Sequence, residues 1–216
     1  MVAQITEGTA FDKHGRPFRR RNPRPAIAVL AVLLVATGLV WIFALTRPPD
    51  VREAVVCNPP PQQPGAEPPK LGEPVSRTAM THVGPAKLID TKVHVLNASG
   101  HGGQAGEVAS ALRDLGFPQP TAANDPLYAN ARLTCQGQIR FGEAGQAAAA
   151  AVWLVAPCTE LFRDDRPDDS VDLVIGTEFT TLTHSDDIDA VLAGLRPEAT
   201  GQSDPILLQK VHSNSC

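Results

Sequence analysis

Apolar and polar positions divide the chain into one long uncharged run and, after a proline-rich stretch, several short alternating segments. Residues 26–45 carry no charged side chain. As a helix they would cover roughly 30 Å, the thickness of the hydrocarbon core of a bilayer. Arginines crowd the residues just before this run, so the positive-inside rule keeps the basic tail, residues 1–25, in the cytoplasm. The pattern predicts a single-pass signal anchor in the cell inner membrane, with the rest of the chain extracytoplasmic.

Two other interpretations of this apolar run are weaker. A buried core helix seldom combines such a long uncharged run with a polybasic flank. A cleaved signal peptide has a shorter apolar region followed by a small-residue cleavage site, and the sequence has neither.

Prolines recur through residues 46–74, where they favour the extended polyproline II conformation and exclude a helix. At about 3.1 Å per residue, this stretch would hold a domain up to roughly 80 Å from the membrane. The pattern of residues 75–87 is ambiguous. We therefore assign all of residues 46–87 to a proline-rich linker.

The alternating part of the chain opens with a strand, a glycine-rich turn and a helix in residues 93–117. Val93 and Val95 begin a short β-branched run, and small residues from Asn97 to Gly103 then break the pattern. Apolar residues return at helical spacing and stop at a glycine: Ala105, Val108, Ala109, Leu112, Leu115 and Gly116. A strand that enters a helix through a tight turn is half of a β-α-β unit.

The same alternation of strand and helix repeats further along the chain. Strands are predicted at residues 133–141 and 171–175, and helices at residues 143–155 and 188–195. Three prolines make residues 118–134 mostly loop.

This order of elements predicts an α/β fold class. We expect a small sandwich of three or four strands with covering helices over residues 88–200, preceded by one transmembrane helix. Residues 201–216 would form a C-terminal tail.

Charge is divided unevenly along the chain. Residues 1–25 carry six Lys and Arg against two acidic residues, a net +4, and the remaining residues carry 13 against 21, a net −8. An acidic domain argues against nucleic acid as a partner, because phosphate binding needs clustered basic side chains. The membrane is the partner that the sequence predicts most directly.

All four cysteines lie beyond the predicted span, in a space expected to be oxidising: Cys57, Cys135, Cys158 and Cys216. An even number there predicts two disulfides, with three possible pairings. We favour Cys135 with Cys158, because the start of a strand and the end of the helix after it lie at the same end of a sheet. Cys57 would then bond to Cys216. The zinc alternative is weaker, since no metal-binding spacing of cysteine and histidine occurs in the sequence.

Three patterns suggest chemistry, and each has a simpler structural interpretation. Residues 100–105 fit the G-x-G-x-x-A of a dinucleotide loop, but the extracytoplasmic location and the lack of an acidic residue after the second strand favour a tight turn. The aspartates of residues 164–172 lack the glycine and glutamate of an EF-hand, which favours a solvated acidic loop over a calcium site. The six histidines have no metal-ligand spacing, and no Ser/His/Asp or Cys/His set can be assembled. We therefore expect no cofactor, no metal and no catalytic residue.

The first strand, turn and helix resemble the LytR-family C-terminal domain. That family opens with V-x-V-L-N-G-S-G, matched here by VHVLNASG in residues 93–100, and continues with a second glycine, Gly103. Its alanine-rich helix ends in L-x-x-x-G-F, as it does here at residues 112–117, and its last strand is an aliphatic run closed by glycine, as in residues 173–176. The resemblance covers about residues 90–178.

Three positions depart from the family pattern. Ala98 stands where glycine is usual, Gln104 where leucine is usual, and Glu178 where an aspartate often follows. A binding role that the family places at these positions need not hold for this chain.

The resemblance also has functional implications. This domain often follows a LytR/CpsA/Psr phosphotransferase, which attaches glycopolymers to peptidoglycan, but the sequence shows the accessory domain without that enzyme. Family members of this stand-alone type are linked to envelope integrity and virulence.

We therefore expect a non-enzymatic membrane protein that maintains cell envelope integrity by binding a peptidoglycan-linked glycopolymer or another envelope protein. A binding surface near the first turn would involve Asn97 and Ser99, beside Gly100 and Gly103. Two alternatives stay open: a wall-modifying enzyme that uses this turn or the acidic loop, and a purely structural scaffold subunit of an envelope complex.

Overall fold

The structure is a computed structural model, and it describes residues 24–46, 56–62, 69–199 and 204–213. The chain divides into two compact units, Met1–Pro48 and Pro49–Cys216.

The first unit contains one long helix, α1, Arg24–Thr46. It includes the apolar run of residues 26–45, and the side chains of residues 24–42 are exposed on all sides. Among the described residues it is the one helix long and apolar enough to cross a membrane. A helix that is apolar all round fits a lipid environment better than water.

The second unit is built on one mixed β-sheet. Within the described residues the sheet has six strands: β1 Glu73–Pro74, β2 Val93–Asn97, β3 Thr121–Asn124, β4 Gly137–Phe141, β5 Glu160–Arg163 and β6 Val171–Ile175. Their order in space is β1-β5-β4-β6-β2-β3. The helices of this unit are α2 Arg77–Met80, α3 Gln104–Asp114, α4 Gln146–Val155, α5 Asp186–Gly194 and α6 Pro205–Ser213. Short 3₁₀ turns occur at Leu88–Asp90 and Glu143–Gly145.

Two β-α-β units form the sheet. Helix α3 connects the parallel neighbours β2 and β3, and helix α4 connects the parallel neighbours β4 and β5. Parallel neighbours need such a crossover, since a tight turn cannot join them. Strand β6 joins the two units, because it pairs in parallel with β2 and antiparallel with β4. The predicted α/β fold class with covering helices is confirmed, with six strands in place of three or four.

One face of the sheet, the helix face, carries the main hydrophobic core. Alternate strand residues such as Val95, Ile139 and Leu173 are fully buried there, and helices α3, α4 and α5 pack on them. In α4 every side chain from Ala148 to Val155 is buried. The alanines of α4 bring its backbone close to the sheet, which suits a helix enclosed on all sides.

The opposite face, the second face, is covered by irregular segments. A smaller apolar cluster here joins Cys57, Tyr128, Leu133 and Cys135 to Val174 of β6. The cover therefore comes from residues 56–62 and from the connection between β3 and β4.

Three strands fall where no strand was predicted, and the first of them, β1, lies within the predicted linker. Strand β3 lies within residues 118–134, which the prolines had marked as loop, and β5 follows α4 directly. All four residues of β3 are exposed, so β3 has no apolar alternation for a sequence pattern to detect. The predicted strand 133–141 begins only at Gly137, because Leu133 leaves the strand direction to bond with the backbone of Ala98 and Thr177.

The structure also alters the picture of the predicted linker, residues 46–87. Strand β1 pairs with β5, and Met80 of α2 is fully buried in the main core. Asn58 accepts a hydrogen bond from the Thr134 amide and donates one to the Arg132 carbonyl. Residues 56–62 and 69–87 of the predicted linker are therefore described as part of the second unit, whereas its residues 47–55 and 63–68 lie outside the described residues.

The favoured disulfide pairing was wrong. Cys135 is bonded to Cys57, not to Cys158. The physical reason is that Cys135 is buried in the second-face cluster, whereas α4, which precedes Cys158, packs on the helix face. Cys158 is disulfide-bonded as well, and Cys216 lies outside the described residues.

Candidate functional site

The turn between β2 and α3 is closed by its own side chains. Asn97 Oδ1 accepts from the Ser99 amide at 3.0 Å, and Asn97 Nδ2 donates to the His101 carbonyl at 2.7 Å. Ser99 Oγ accepts from the His101 amide at 3.0 Å and lies 2.6 Å from Gln104 Oε1. Gln104 Nε2 in turn donates to the carbonyl of Phe179, beyond β6, at 2.9 Å.

The structure brings the four predicted binding residues together in this one turn. Ser99 is 0% exposed, and the hydrogen bonds of Asn97 hold the turn itself. Gly100 and Gly103 both have positive φ, at 81° and 86°, which explains the need for glycine there. The geometry thus accounts for all four residues as turn formers, and a binding role for them stays a prediction.

A buried ion pair anchors the connection between β3 and β4 to the second face. Arg140 Nη1 lies 2.7 Å from Asp125 Oδ2, and the two side chains are 5% and 0% exposed. The rest of the guanidinium donates to Gln138 Oε1 at 2.7 and 3.1 Å. Asp125 Oδ1 accepts from the amides of Leu127 and Tyr128. These contacts satisfy both charges, and their burial gives this cluster a structural role.

Beside this cover a polar groove of about 560 Å³ lies open on the second face. Residues 70–72, strands β2 and β6 and the loop between β5 and β6 all contribute to it. Its lining is Lys70, Gly72, His94, Asp164, Asp165, Arg166, Asp168, Ser170 and Asp172. His94 and Asp172 are register partners on adjacent strands, so their side chains lie next to each other on the same face.

Arg166 organises the groove. Its Nη2 lies 2.7 Å from Asp164 Oδ2 and 2.6 Å from Asp172 Oδ2, and its Nη1 donates to Ser170 Oγ at 3.3 Å. Burial alone would lower the pKa of Arg166, but its hydrogen bonds to the two carboxylates raise that pKa above the ordinary value. Burial alone would raise the pKa of Asp164, and the bonds from Arg166 lower it below the ordinary value.

Two further carboxylates of this loop are held ionised in the same way. A hydrogen bond from the Ser170 hydroxyl lowers the pKa of Asp168. The ammonium of Lys92, 2.8 Å from Asp169 Oδ1, lowers the pKa of Asp169. The predicted acidic loop is therefore an ordered set of ion pairs and hydrogen bonds.

This arrangement suits hydrogen-bond acceptance better than proton transfer. A general acid near neutral pH needs a raised carboxyl pKa, and the pKa shifts of Asp164 and Asp168 have the opposite sign. His94 Nδ1 lies 3.2 Å from Asp172 Oδ1, as a base lies beside the group that orients it. A serine nucleophile would have to donate its hydroxyl to such a base, but the hydroxyl of Ser170 donates to Asp168. Among the described residues, no group of three His, Cys, Asp or Glu could hold a metal ion.

Sequence reasoning noticed the acidic loop but missed the groove. The residue that organises the loop, Arg166, sits among four aspartates, and no spacing rule marks it. The contribution of His94 depends on the pairing of β2 with β6, which brings together residues 78 positions apart. One signal was available, since polar His94 and Asp172 each interrupt an apolar strand.

Comparison with known proteins shows which family the chain belongs to. Residues 90–179 match the family described as LytR cell envelope-related transcriptional attenuator. The sequence is 76% identical over 216 residues, all of both chains, to cell envelope integrity protein Cei of Mycobacterium tuberculosis (strain ATCC 25618 / H37Rv). The chain belongs to the Cei family. The resemblance found in the sequence is thereby confirmed.

A crystal structure from Mycobacterium marinum is also similar. It contains the soluble domain of a conserved hypothetical secreted protein, with 73% sequence identity and a TM-score of 0.67. The match covers 68% of this chain and 99% of that chain.

Membership of this family gives the protein an envelope-related role. The LytR C-terminal domain is not a family of enzymes. An N-terminal apolar helix ahead of a domain whose relative is soluble and secreted fits a single-pass membrane protein.

Proposed function

We propose that this protein is a non-enzymatic, single-pass protein of the inner membrane, whose extracytoplasmic domain maintains the envelope by binding a neutral wall glycopolymer. The binding site is the polar groove on the second face. The observation that carries the proposal is the set of ionised acceptors ordered around Arg166 in an open groove.

Charge and cysteine chemistry both support this topology. The arginines before α1 favour a cytoplasmic N-terminus by the positive-inside rule. The disulfide between Cys57 and Cys135 suits an oxidising space outside the cytoplasm. Both features favour an extracytoplasmic position for the second unit.

The charge of the groove selects the class of polymer. The lining residues other than His94 that carry charge are two basic and four acidic, a net −2: Lys70, Arg166, Asp164, Asp165, Asp168 and Asp172. Carboxylates accept hydrogen bonds from sugar hydroxyls, and bonds to charged groups are the stronger ones. The same charge repels phosphate-bearing or uronic acid polymers.

Asp165 offers the most direct test. It is exposed, lines the groove, and accepts no hydrogen bond from another described residue, so its replacement should leave the fold intact. Loss of one charged acceptor is expected to weaken binding about tenfold, for a contribution of roughly 1.5 kcal/mol. Calorimetric titration of residues 56–216 with neutral polysaccharide released from the wall compares Asp165→Ala with the native sequence.

Asp114→Ala is the matched control, because Asp114 is an exposed aspartate at the end of α3, away from the groove. We expect it to bind like the native protein. An anionic, phosphate-bearing polymer should bind to none of the three proteins. Equal affinity of the native protein and Asp165→Ala would contradict the groove as the site, and absence of any binding would contradict the proposed function.

A further inference from the structure

A second open cavity, the side cavity, adjoins the polar groove where β4 and β5 end. Its volume is about 810 Å³. Its lining is Lys70, Leu71, Gly72, Glu73, Glu143, Arg163, Asp164, Asp165 and Arg166. Five of these residues also line the polar groove: Lys70, Gly72, Asp164, Asp165 and Arg166. The two cavities therefore meet along these shared residues.

The boundary between the two cavities has little bulk. Gly72 lies so close to the end of β5 that a Cβ there would clash with the Arg163 carbonyl oxygen, and it has no side chain to separate the cavities. Arg166 and Asp164 are paired with each other and are only 19% and 23% exposed. Asp165 is exposed between them and lines both cavities. A ligand can therefore extend from one cavity into the other.

We propose that the side cavity is a second subsite, so that the polar groove and the side cavity together hold several consecutive sugars of one neutral glycopolymer chain. This inference rests on the proposed function, which places the first sugars in the polar groove. It adds that the protein recognises a stretch of polymer rather than a single small sugar.

The side cavity offers the contacts that a sugar needs. Sugar hydroxyls both donate and accept hydrogen bonds. Arg163 and Glu73 form an ion pair at 2.9 Å but are 46% and 77% exposed, so a donor and an acceptor stay accessible. The carboxylate of Glu143 is exposed and accepts no hydrogen bond from another described residue. Half-buried Leu71 and the aliphatic stem of Arg163 offer apolar surface to the C–H face of a sugar ring.

The charge of the side cavity suits the same class of polymer as the groove. Its charged lining residues are three basic and four acidic, a net −1: Lys70, Arg163, Arg166, Glu73, Glu143, Asp164 and Asp165. An excess of positive charge, which an anionic chain would require, is therefore present in neither cavity.

Size and position also favour an extended ligand. A single small ligand occupies a pocket of about 300–1,000 Å³, and each cavity alone already has that size. The carboxyl ends of parallel strands, here β4 and β5, are where open α/β sheets bind their ligands. Gly142 packs against the Arg166 backbone, which places the next residue, Glu143, beside the loop that lines the groove.

Calorimetric titration of the full chain in lipid nanodiscs tests the subsite. The probes are a disaccharide fraction and a fraction of longer oligosaccharides, both from partial acid hydrolysis of neutral polysaccharide released from the wall. We expect the native protein to bind the longer fraction more tightly than the disaccharide. Glu143→Ala should weaken binding of the longer fraction about tenfold and leave that of the disaccharide unchanged, because Glu143 lines only the side cavity.

Glu107→Ala is the matched control, since Glu107 is an exposed glutamate of α3. It should bind both fractions like the native protein, and unchanged thermal unfolding would show that each variant is folded. If the native protein binds but Glu143→Ala binds the longer fraction as tightly as Glu107→Ala does, the second subsite is overturned and the proposed function stands. Equal weakening of both fractions by Glu143→Ala would overturn the division into two subsites. Absence of binding by the native protein would overturn the proposed function and this inference together.

Discussion

The two faces of the sheet are stabilised by different kinds of interaction. The helix face is covered by regular elements whose apolar side chains form one continuous core. The second face is covered by segments without regular structure, which a few specific interactions hold in place. These interactions are the disulfide between Cys57 and Cys135 and the buried ion pair of Arg140 and Asp125.

The difference has consequences for stability and for function. The stability of the helix face is spread over many apolar contacts. On the second face the buried pair of Arg140 and Asp125 is a single, specific interaction. The irregular segments cover only part of the second face, and the polar groove lies open beside them.

The largest expected effect comes from breaking the buried ion pair. Arg140→Met keeps the aliphatic volume of the side chain but leaves Asp125, 0% exposed, without its counter-ion. Removal of one partner from a buried pair costs about 3–5 kcal/mol, because the other charge stays desolvated. Urea unfolding of residues 56–216 measures this as a fall in the free energy of unfolding.

Arg163→Met on the adjacent strand is the matched control. Arg163 pairs with Glu73, and these side chains are 46% and 77% exposed, so the cost should stay below about 1 kcal/mol. Equal destabilisation by the two variants would show that the stability of the second face does not depend on the ion pair of Arg140 and Asp125.

The helix face was also the part that the sequence predicted well. Its elements carry local patterns: Val93 and Val95 alternate in β2, and the apolar positions of α3 recur at helical spacing. The second face has no such patterns, because its residues interact with distant partners. Cys57 and Cys135 are 78 positions apart, and no local rule selects one pairing from three.

The candidate site, too, was predicted only where its residues form a local pattern in the sequence. The turn at Asn97 was found because glycines and small residues mark it locally, and its hydrogen bonds are local too. The groove depends on how β2 and β6 pair and on one arginine within an acidic loop. Such a site becomes visible only when the strand order is known.

On the helix face, the pH dependence of stability should reveal a buried histidine that stacks on a tryptophan. His212 of α6 stacks on Trp153 with ring centroids 4.2 Å apart, and the guanidinium of Arg77 lies 5.1 Å from the centre of the same indole ring. Burial, and then the charge of Arg77, lower the pKa of His212 from 6.5 to about 4.

Below pH 6.5 the unfolded chain therefore binds a proton that the folded protein excludes. The stability contributed by neutral His212 is complete above pH 6.5 and is lost as the pH falls from 6.5 to about 4. The loss amounts to about 3 kcal/mol at the lower limit. Urea unfolding at a series of pH values measures it.

His212→Phe is the control, because it keeps an aromatic ring against Trp153 but has no proton to bind. Carboxylates titrate alike in both proteins, so the difference between the two pH profiles isolates His212. Parallel profiles between pH 6.5 and 4 would mean that the stack admits a charged imidazole.

The smallest expected effect concerns the turn where β2 meets α3. Ser99→Ala removes a fully buried hydroxyl that accepts from the His101 amide and contacts Gln104 Oε1. Buried groups left without partners cost about 1–2 kcal/mol, whereas His101→Ala, which keeps the backbone bond and changes only an exposed side chain, should cost almost nothing. We expect both variants to bind wall polysaccharide like the native protein, because the hydrogen bonds of Ser99 stay within the turn. If Ser99→Ala instead abolished binding without loss of stability, the binding surface would be the turn, and the polar groove on the second face would not be the binding site.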